Sequence, residues 1–238
     1  HMQFELTKLK QAMMGQVDRN NVVANNLSNI TTTGFKKDEY FFHTLEDELD
    51  ISKSMSQATD YAQGDLRTTG NPLDVAISGN GFFTVERGDG EAYTRNGSFR
   101  IDDDGVLRTR EGLPVLGEGG WVNLFTDFGT PSQITITEKG EVFADGELMD
   151  RLVITDFENA GALRKVGASL FEAGDGALAY EVEEPNVKQG YLEDSNVNPA
   201  QEMIELIEVQ RQFESMQRMV RTLDDVYKSA VNKVGIYR

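Results

Sequence analysis

The chain has 238 residues, with 40 acidic and 23 basic side chains and a formal net charge of −17. It contains no cysteine and only two histidines, His1 and His43, which excludes thiolate metal sites, disulfides and multi-histidine metal sites. The excess of acid argues against nucleic acid as a partner, and no apolar run is long enough to span a bilayer. We therefore predict no catalytic residue, no cofactor, no metal, no nucleic acid and no membrane insertion.

An amphipathic helix is predicted within residues 1–35. Mostly apolar residues, with two polar ones among them, recur there at alternating steps of three and four, namely Leu6, Leu9, Met13, Gln16, Asn20, Val23, Leu27 and Ile30. This spacing places the series on one face of a helix, and the polar members of such a seam lower stability but specify the partner and the register. The helix is expected to end near Asn25–Asn29, where helix-forming residues are scarce.

The middle of the chain reads as a connector over residues 36–70 and a compact antiparallel β domain over residues 71–185. Turn pairs such as Asn96-Gly97, Asp104-Gly105 and Asp145-Gly146 separate short alternating segments, which is typical of hairpins. Residues 71–197 also carry 24 acidic against 10 basic side chains. An acidic surface of this kind is consistent either with a contact to a partner or with simple solubility.

A linker and a second, longer helix are predicted within residues 186–238. Asn198 is a favourable N-cap and Pro199 a favourable first helical residue. A heptad-like seam follows, formed by Leu206, Val209, Phe213, Met216, Val220, Leu223 and Tyr227. A helix over residues 199–234 is about 54 Å long, which is more than one small domain can cover. The predicted fold is therefore mainly β with α-helical termini, and the two end helices are expected to pair in a coiled-coil-like way.

Several local patterns have a chemical interpretation and a simpler structural one. Asp102–Gly105 lacks the glutamate that a calcium loop needs at its twelfth position, where Leu113 stands, so we expect an ordinary turn. Lys36-Lys37 is interpreted as a pair of cations beside a helix end rather than as a phosphate site. Trp121 is expected to anchor the β core.

Four stretches of the sequence resemble the bacterial flagellar rod and hook proteins, in the same order along the chain. These stretches are Val22–Lys36, Thr69–Phe83, Ala92–Gly97 and Gly190–Pro199. The residues that carry the first and most specific motif are Asn25, Asn26, Leu27, Asn29, Gly34 and Phe35. Pro114–Gly120 and Arg211–Glu214 are most similar to the proximal rod branch of the family, and the distal rod branch comes next.

The resemblance implies an inner helical domain that packs with neighbouring subunits into a tube, with the β domain outside it. Subunit packing would then fall on the two seams, that is on Leu6, Leu9, Met13, Val23, Leu27, Ile30, Leu206, Val209, Phe213, Met216, Val220, Leu223 and Tyr227. The partners would be other rod subunits, further copies of this chain and the flagellar export apparatus. The location would be the periplasmic rod of the basal body, reached without a cleaved signal peptide, with both chain ends loosely ordered in the dilute monomer.

Two functions from different classes follow from the sequence. The first is a structural rod subunit that transmits torque, with a distal rod or hook subunit as the alternative within the family. The second is a rod-associated peptidoglycan hydrolase that uses acidic residues of the β domain. A hydrolase needs one carboxyl group with a raised pKa beside an ionised partner, and no spacing in the sequence indicates such a pair.

Overall fold

The structure, a computed structural model, describes residues 2–44, 53–127 and 129–235. The chain divides into two compact units. The first, here called the helical unit, comprises residues 1–28, 38–58 and 198–238. The second, here called the β unit, comprises residues 29–37 and 59–197.

Two helices and one strand pair form the described part of the helical unit. Helix α1 spans Met2–Ser28 and helix α2 spans Pro199–Gly235. Strands β1 (Asp38–Thr44) and β2 (Lys53–Thr59) pair with each other. Helix α1 packs against α2, which brings the two ends of the chain together.

The termini of both helices follow the local sequence. Asn198 caps α2, because its side-chain oxygen accepts hydrogen bonds from the backbone N–H groups of Ala200 at 3.1 Å and Gln201 at 3.3 Å. Helix α1 ends at Ser28, within the segment that is poor in helix formers. The predictions of a helix at each end and of the Asn198 cap are therefore confirmed.

The β unit contains seventeen strands in the described residues, and their paired registers are antiparallel throughout. In chain order they are β3 (Leu66–Thr68), β4 (Val75–Ile77), β5 (Phe82–Arg87), β6 (Gly90–Thr94), β7 (Phe99–Ile101), β8 (Leu107–Thr109), β9 (Leu116–Gly117), β10 (Gly120–Trp121), β11 (Ile134–Ile136), β12 (Glu141–Ala144), β13 (Glu147–Arg151), β14 (Ile154–Phe157), β15 (Leu163–Lys165), β16 (Leu170–Ala173), β17 (Ala179–Glu181), β18 (Val187–Gln189) and β19 (Tyr191–Glu193). The largest sheet has the order β15-β16-β6-β5-β14-β17, and β11-β12-β13 form a three-stranded sheet.

Strand β5 divides the core of the β unit into two clusters. Successive side chains of a strand point to opposite faces, so Phe83 enters the larger aliphatic cluster with Val75 and Leu107, whereas Phe82 enters an aromatic cluster. The aromatic rings meet edge to face, with 4.8 Å between the centroids of Tyr93 and Phe157. The adjacent residues Phe82 and Phe83 thus pack into the two different core clusters.

Two sequence-based expectations about the β unit are wrong. Asn96-Gly97 does not close a hairpin, because β6 pairs with β5 and β16 while β7 pairs with β8. Gly97 instead lets two backbones meet, since a Cβ there would lie 1.7 Å from the carbonyl oxygen of Val75. Trp121 does not anchor the core. It is 49% exposed on the short strand β10, and its Nε1–H donates to a Glu86 carboxylate oxygen at 2.9 Å.

Candidate interaction surface

The motif residues within α1 build a polar junction in the helical unit. The side-chain amide of Asn26 is buried and donates to the backbone carbonyl of Asp38 at 2.9 Å and to the Glu202 carboxylate at 3.2 Å. The Asn26 carbonyl oxygen accepts from the Asp38 N–H at 3.0 Å. One asparagine therefore ties α1 both to β1 and to the first turn of α2. Asn25 lies exposed on the same turn, and Leu27 is half-buried.

The remaining motif residues form a tight loop in the β unit. Asn29 accepts hydrogen bonds from the backbone N–H and the side-chain hydroxyl of Thr32. Gly34 has φ +67°, and a Cβ there would lie 2.5 Å from the backbone nitrogen of Asn96. Phe35 is buried, with the Lys165 ammonium 4.0 Å from its ring centroid. Only glycine satisfies both the φ angle and the close approach at position 34.

A buried charge cluster fixes this loop to the β unit. Lys36 Nζ lies 2.6 Å from one carboxylate oxygen of Glu193, and Arg95 Nε lies 2.7 Å from the other. The side chains of Lys36 and Glu193 are each 1% exposed. Lys36 also donates to the Ala62 carbonyl at 2.6 Å. Desolvation lowers the pKa of Lys36, and the Glu193 carboxylate partly opposes this effect.

The cluster shows what Lys36 does beyond its interpretation as a cation beside a helix end. Its ammonium group is buried and is bound by Glu193 and a backbone carbonyl, so it also has no role as a phosphate site. Lys37 lies 3.7 Å from the Asp60 carboxylate. Lys36 follows the helix and Arg95 precedes Asn96-Gly97 in the sequence. Nothing in the sequence indicates that both side chains bind the same glutamate. The pairing comes from the tertiary fold alone.

The carboxyl groups for which a lowered pKa is found are not candidate catalytic acids. Among the described carboxyl groups, those of Asp102 and Glu172 have a lowered pKa. Hydrogen bonding from Arg108 lowers the pKa of Asp102, and hydrogen bonds from Arg164 and Arg87 lower that of Glu172. A catalytic acid needs the opposite shift. Asp102 also accepts from the N–H groups of Asp104 and Val106, which makes the segment an ordinary turn as predicted.

Two searches of the described residues concern metal ligands and membrane-spanning helices. No group of three or more histidine, aspartate or glutamate side chains within residues 2–44, 53–127 and 129–235 is arranged to hold a metal ion. Neither described helix is long and apolar enough to cross a bilayer. His43 belongs to β1, but its side chain lies outside the described part of the structure.

The two predicted seams fall on the better covered faces of α1 and α2. Val23 and Val209 are buried. The half-buried members are Leu9, Met13, Leu27, Leu206, Phe213, Met216 and Val220, together with Ile30 just beyond the end of α1. Leu223 is exposed. The side chains of Leu6 and Tyr227 lie outside the described part of the structure.

A groove between α1 and α2 lies along these seams. It encloses about 220 Å³ and is lined by Gln16, Val17 and Asn20 from α1 and by Val209, Gln210, Phe213 and Glu214 from α2. Val17 of this lining is exposed, and further apolar side chains are exposed on both helices, among them Met14 on α1 and Ile207 on α2. Exposed apolar residues grouped on one element indicate an interaction surface.

Comparison with known proteins identifies related chains over nearly the full length. Residues 76–144 match the model of the flagellar hook protein FlgE/F/G D1 domain, and residues 188–233 match that of the flagellar basal body rod FlgEFG protein C-terminal region. The chain is 33% identical to the flagellar basal-body rod protein FlgF of Caulobacter vibrioides, over 90% of this chain and 91% of that protein. It is 30% identical to FlgG of Bacillus subtilis, over 89% and 91% of the two chains. It is 29% identical to FlgF of Rhizobium meliloti, over 98% and 99%.

Proposed function

Because the chain belongs to the flagellar rod and hook family, whose members here are structural rod proteins and not enzymes, we propose that it is a subunit of the basal-body rod. The proposed position is the proximal rod, as for FlgF. Relatives named FlgF and FlgG match at similar identity, so this position rests on the similarity of Pro114–Gly120 and Arg211–Glu214 to the proximal branch. A distal rod or hook subunit is the alternative.

The observation that carries the proposal is the arrangement of the two terminal helices. Their seams are covered only in part within one chain, and exposed apolar side chains continue along α2 as far as Val226. Burial of such a surface is the usual driving force for association. We infer that the helical unit is the inner domain, that α1 and α2 pair in coiled-coil fashion, and that neighbouring subunits cover the rest of the seams.

The partners in this proposal are other rod subunits and further copies of the chain, with delivery by the flagellar export apparatus to the periplasm. A rigid stack of such subunits would act as the drive shaft that transmits torque. The buried core of the β unit, closed by its own aromatic and ionic contacts, suits a body that keeps its shape under load. The peptidoglycan-hydrolase hypothesis is set aside, because the relatives are rod proteins.

Electron microscopy of basal bodies from a deletion strain tests the proposed position. We expect non-motile cells whose rods stop close to the export gate. A rod that lacks only its outer part and the hook would assign the chain to the distal rod. Intact rods and hooks would contradict the proposal altogether.

A point substitution tests the proposed packing surface in the same strain. Phe213→Asp places a charge on the half-buried seam and should abolish motility while the β unit remains folded. Ser215→Asp adds the same charge at an exposed position of the same helix and should leave motility unchanged. A motile Phe213→Asp strain would contradict the role of the seam.

A further inference from the structure

The chain passes between the helical unit and the β unit four times, after residues 28, 37, 58 and 197. Boundaries between compact units usually lie in flexible segments that make few bonds. Here the residues beside three of the crossings are bound to one another. Lys37 is the last residue before the second crossing, Asp60 is the second residue after the third, and Asn196 stands two residues before α2, where the fourth crossing ends.

The half-buried side chain of Asn196 binds the other two segments at once. Its Oδ1 accepts a hydrogen bond from the backbone N–H of Lys37 at 2.8 Å. Its Nδ2 donates to the backbone carbonyl of Asp60 at 2.8 Å and to that of Ala62 at 3.1 Å. The oxygen and both N–H groups of the amide are therefore engaged with backbone groups of other segments.

The three segments also bind one another without this side chain. The backbone N–H of Asp60 donates to the Lys37 carbonyl at 2.9 Å, and the Lys37 ammonium lies 3.7 Å from the Asp60 carboxylate. The backbone N–H of Asn196 donates to the Phe35 carbonyl at 3.3 Å. Every pair of segments is thus bound directly. We call this set, formed by residues 35–37, 60–62 and Asn196, the exit clamp, and it lies wholly within the β unit.

Gln189 makes the same kind of bonds elsewhere in the β unit. Its Nε2 donates to the carbonyls of Pro72 at 2.9 Å and Ile134 at 3.0 Å, and its Oε1 accepts from the Ile136 N–H at 3.2 Å. Both amides therefore accept one backbone hydrogen bond and donate two. Only Asn196 joins segments that continue directly into the helical unit, so the pair separates a general stabilising effect from an effect specific to the exits.

We propose that Asn196 is a positioning residue, which makes three connecting segments leave the β unit as one bundle. Separate connecting segments would each act as a hinge, because the residues at the end of an element absorb changes in φ and ψ. Segments that are bound to one another keep fixed distances at their exits and share any load that reaches them along the chain. This inference rests on the proposed rod function and names the part of the chain through which torque passes from one unit to the other.

Hydrogen exchange of single amides in the full-length chain tests the clamp. Asn196→Ala should accelerate exchange at both Lys37 and Asp60 roughly tenfold, since the segments lose the bonds that hold them together. The Asp60 amide is the decisive one, because it donates to Lys37 and not to Asn196. Its acceleration would therefore report opening of the clamp rather than loss of its own bond. Acceleration at Lys37 alone, or at neither amide, would overturn the proposal.

Gln189→Ala is the matched control in the same measurement. It removes the same number of bonds and should accelerate exchange at Ile136, while the Lys37 and Asp60 amides keep their rates. If Gln189→Ala accelerated Lys37 and Asp60 as much as Asn196→Ala does, the effect would be a general loss of stability, and Asn196 would have no special role at the exits.

Swimming under viscous load tests what the clamp does in the rod. In the deletion strain that carries Asn196→Ala, swimming speed should fall more steeply with medium viscosity than in the strain that carries Gln189→Ala, because a higher viscosity raises the torque on each subunit. Equal curves for the two strains would overturn the mechanical role. The exchange measurement needs no assembled rod, so it decides the case in which Asn196→Ala prevents assembly.

The deletion strain separates this proposal from the rod function. A strain that needs the chain for motility, together with Lys37 and Asp60 amides that are unaffected by Asn196→Ala, would reject the exit clamp and leave the rod function standing. A strain that assembles intact rods without the chain would reject the rod function itself, whatever the exchange rates show.

Discussion

The two units differ in how they treat their polar and apolar groups. In the β unit, Glu193 binds Lys36 with one oxygen and Arg95 with the other, and backbone carbonyls take further N–H groups of both cations. In the helical unit, the oxygens of Gln16 and Asn20 have no partner among the described residues, and apolar side chains such as Ile207 face outwards. The β unit pairs its buried ions internally, whereas the helical unit leaves polar and apolar groups that neighbouring copies would cover under the proposed rod function.

Of the substitutions considered, one that breaks the charge cluster should cause the largest loss of stability in the β unit. Glu193→Gln keeps the shape of the side chain but leaves two buried cations without a counter-charge, so we expect a loss of about 3–5 kcal/mol in the free energy of unfolding of the β unit. Urea denaturation followed by tryptophan fluorescence measures it, since Trp121 lies in this unit.

The adjacent residue supplies the control for this substitution. Asp194 pairs with Arg67 at the surface, where both side chains are more than 40% exposed. Asp194→Asn should cost less than about 1 kcal/mol. If Glu193→Gln cost no more than Asp194→Asn, the β unit would not depend on its buried ions, and the contrast between the units would lose its main support.

A glycine pair refines the same comparison. Gly34 and Gly70 have similar φ angles of +67° and +71°, but a Cβ at Gly34 would lie 2.5 Å from a backbone atom, whereas one at Gly70 would meet nothing within 4 Å. Gly70→Ala should cost about 1–2 kcal/mol from the backbone conformation alone. Gly34→Ala should cost more, because the Asn29–Lys37 loop must also move. Equal losses in thermal unfolding would show that the loop is not tightly held.

Two residues of α2 test the helical unit. Val209→Ala opens the covered seam and should weaken the packing of α1 on α2 by about 1–2 kcal/mol. Ile207→Ala removes an exposed side chain and should leave the monomer unchanged while it weakens assembly. Far-UV circular dichroism measures helix content in the monomer, and sedimentation measures association. A loss of helix in Ile207→Ala comparable with that in Val209→Ala would contradict the distinction between a covered and an exposed face of α2.

The same spectra, recorded over a range of protein concentrations, bear on the expectation that the chain ends are loosely ordered in the dilute monomer. An isolated helix is marginal in water, and most helix stability comes from packing. We therefore expect the helical signal per residue to rise with concentration as neighbouring copies cover the seams. A signal independent of concentration would show that α1 and α2 are stable without neighbours.

The sequence predicted the helices well because their information is local. The Asn198-Pro199 cap and the seam from Leu206 onwards depend on residues within a few turns of one another, and α2 begins at Pro199 as expected. Asp102–Gly105 was likewise readable as a turn, since its hydrogen bonds close within five residues. In each case the residues that decide the structure are neighbours in sequence.

The charge cluster and the position of Trp121 were not predictable on this basis. Lys36, Arg95 and Glu193 come from three distant segments of the sequence. Their burial follows from the tertiary fold, and no periodicity in the sequence indicates it. Trp121 looked like a core residue by size alone, but its strand has only two residues and its indole N–H is bound by Glu86. The polar residues of the groove, Gln16 and Asn20, are easier to single out from the sequence, because they interrupt an otherwise apolar seam.

The smallest expected effect is the change in the stability of the β unit with pH in the acidic range. Hydrogen bonds from Arg164 and Arg87 lower the pKa of Glu172 in the folded state below its ordinary value of 4.5. Its contribution is therefore present above pH 4.5 and is lost as the pH falls through the lowered value. The difference in unfolding free energy between the native chain and Glu172→Gln should shrink over that acidic range, whereas Glu111→Gln, at an exposed turn, should show no such change. A difference that instead grew as the pH fell would mean that the two arginines do not hold Glu172 ionised, and that this edge of the β unit is less self-sufficient than its core.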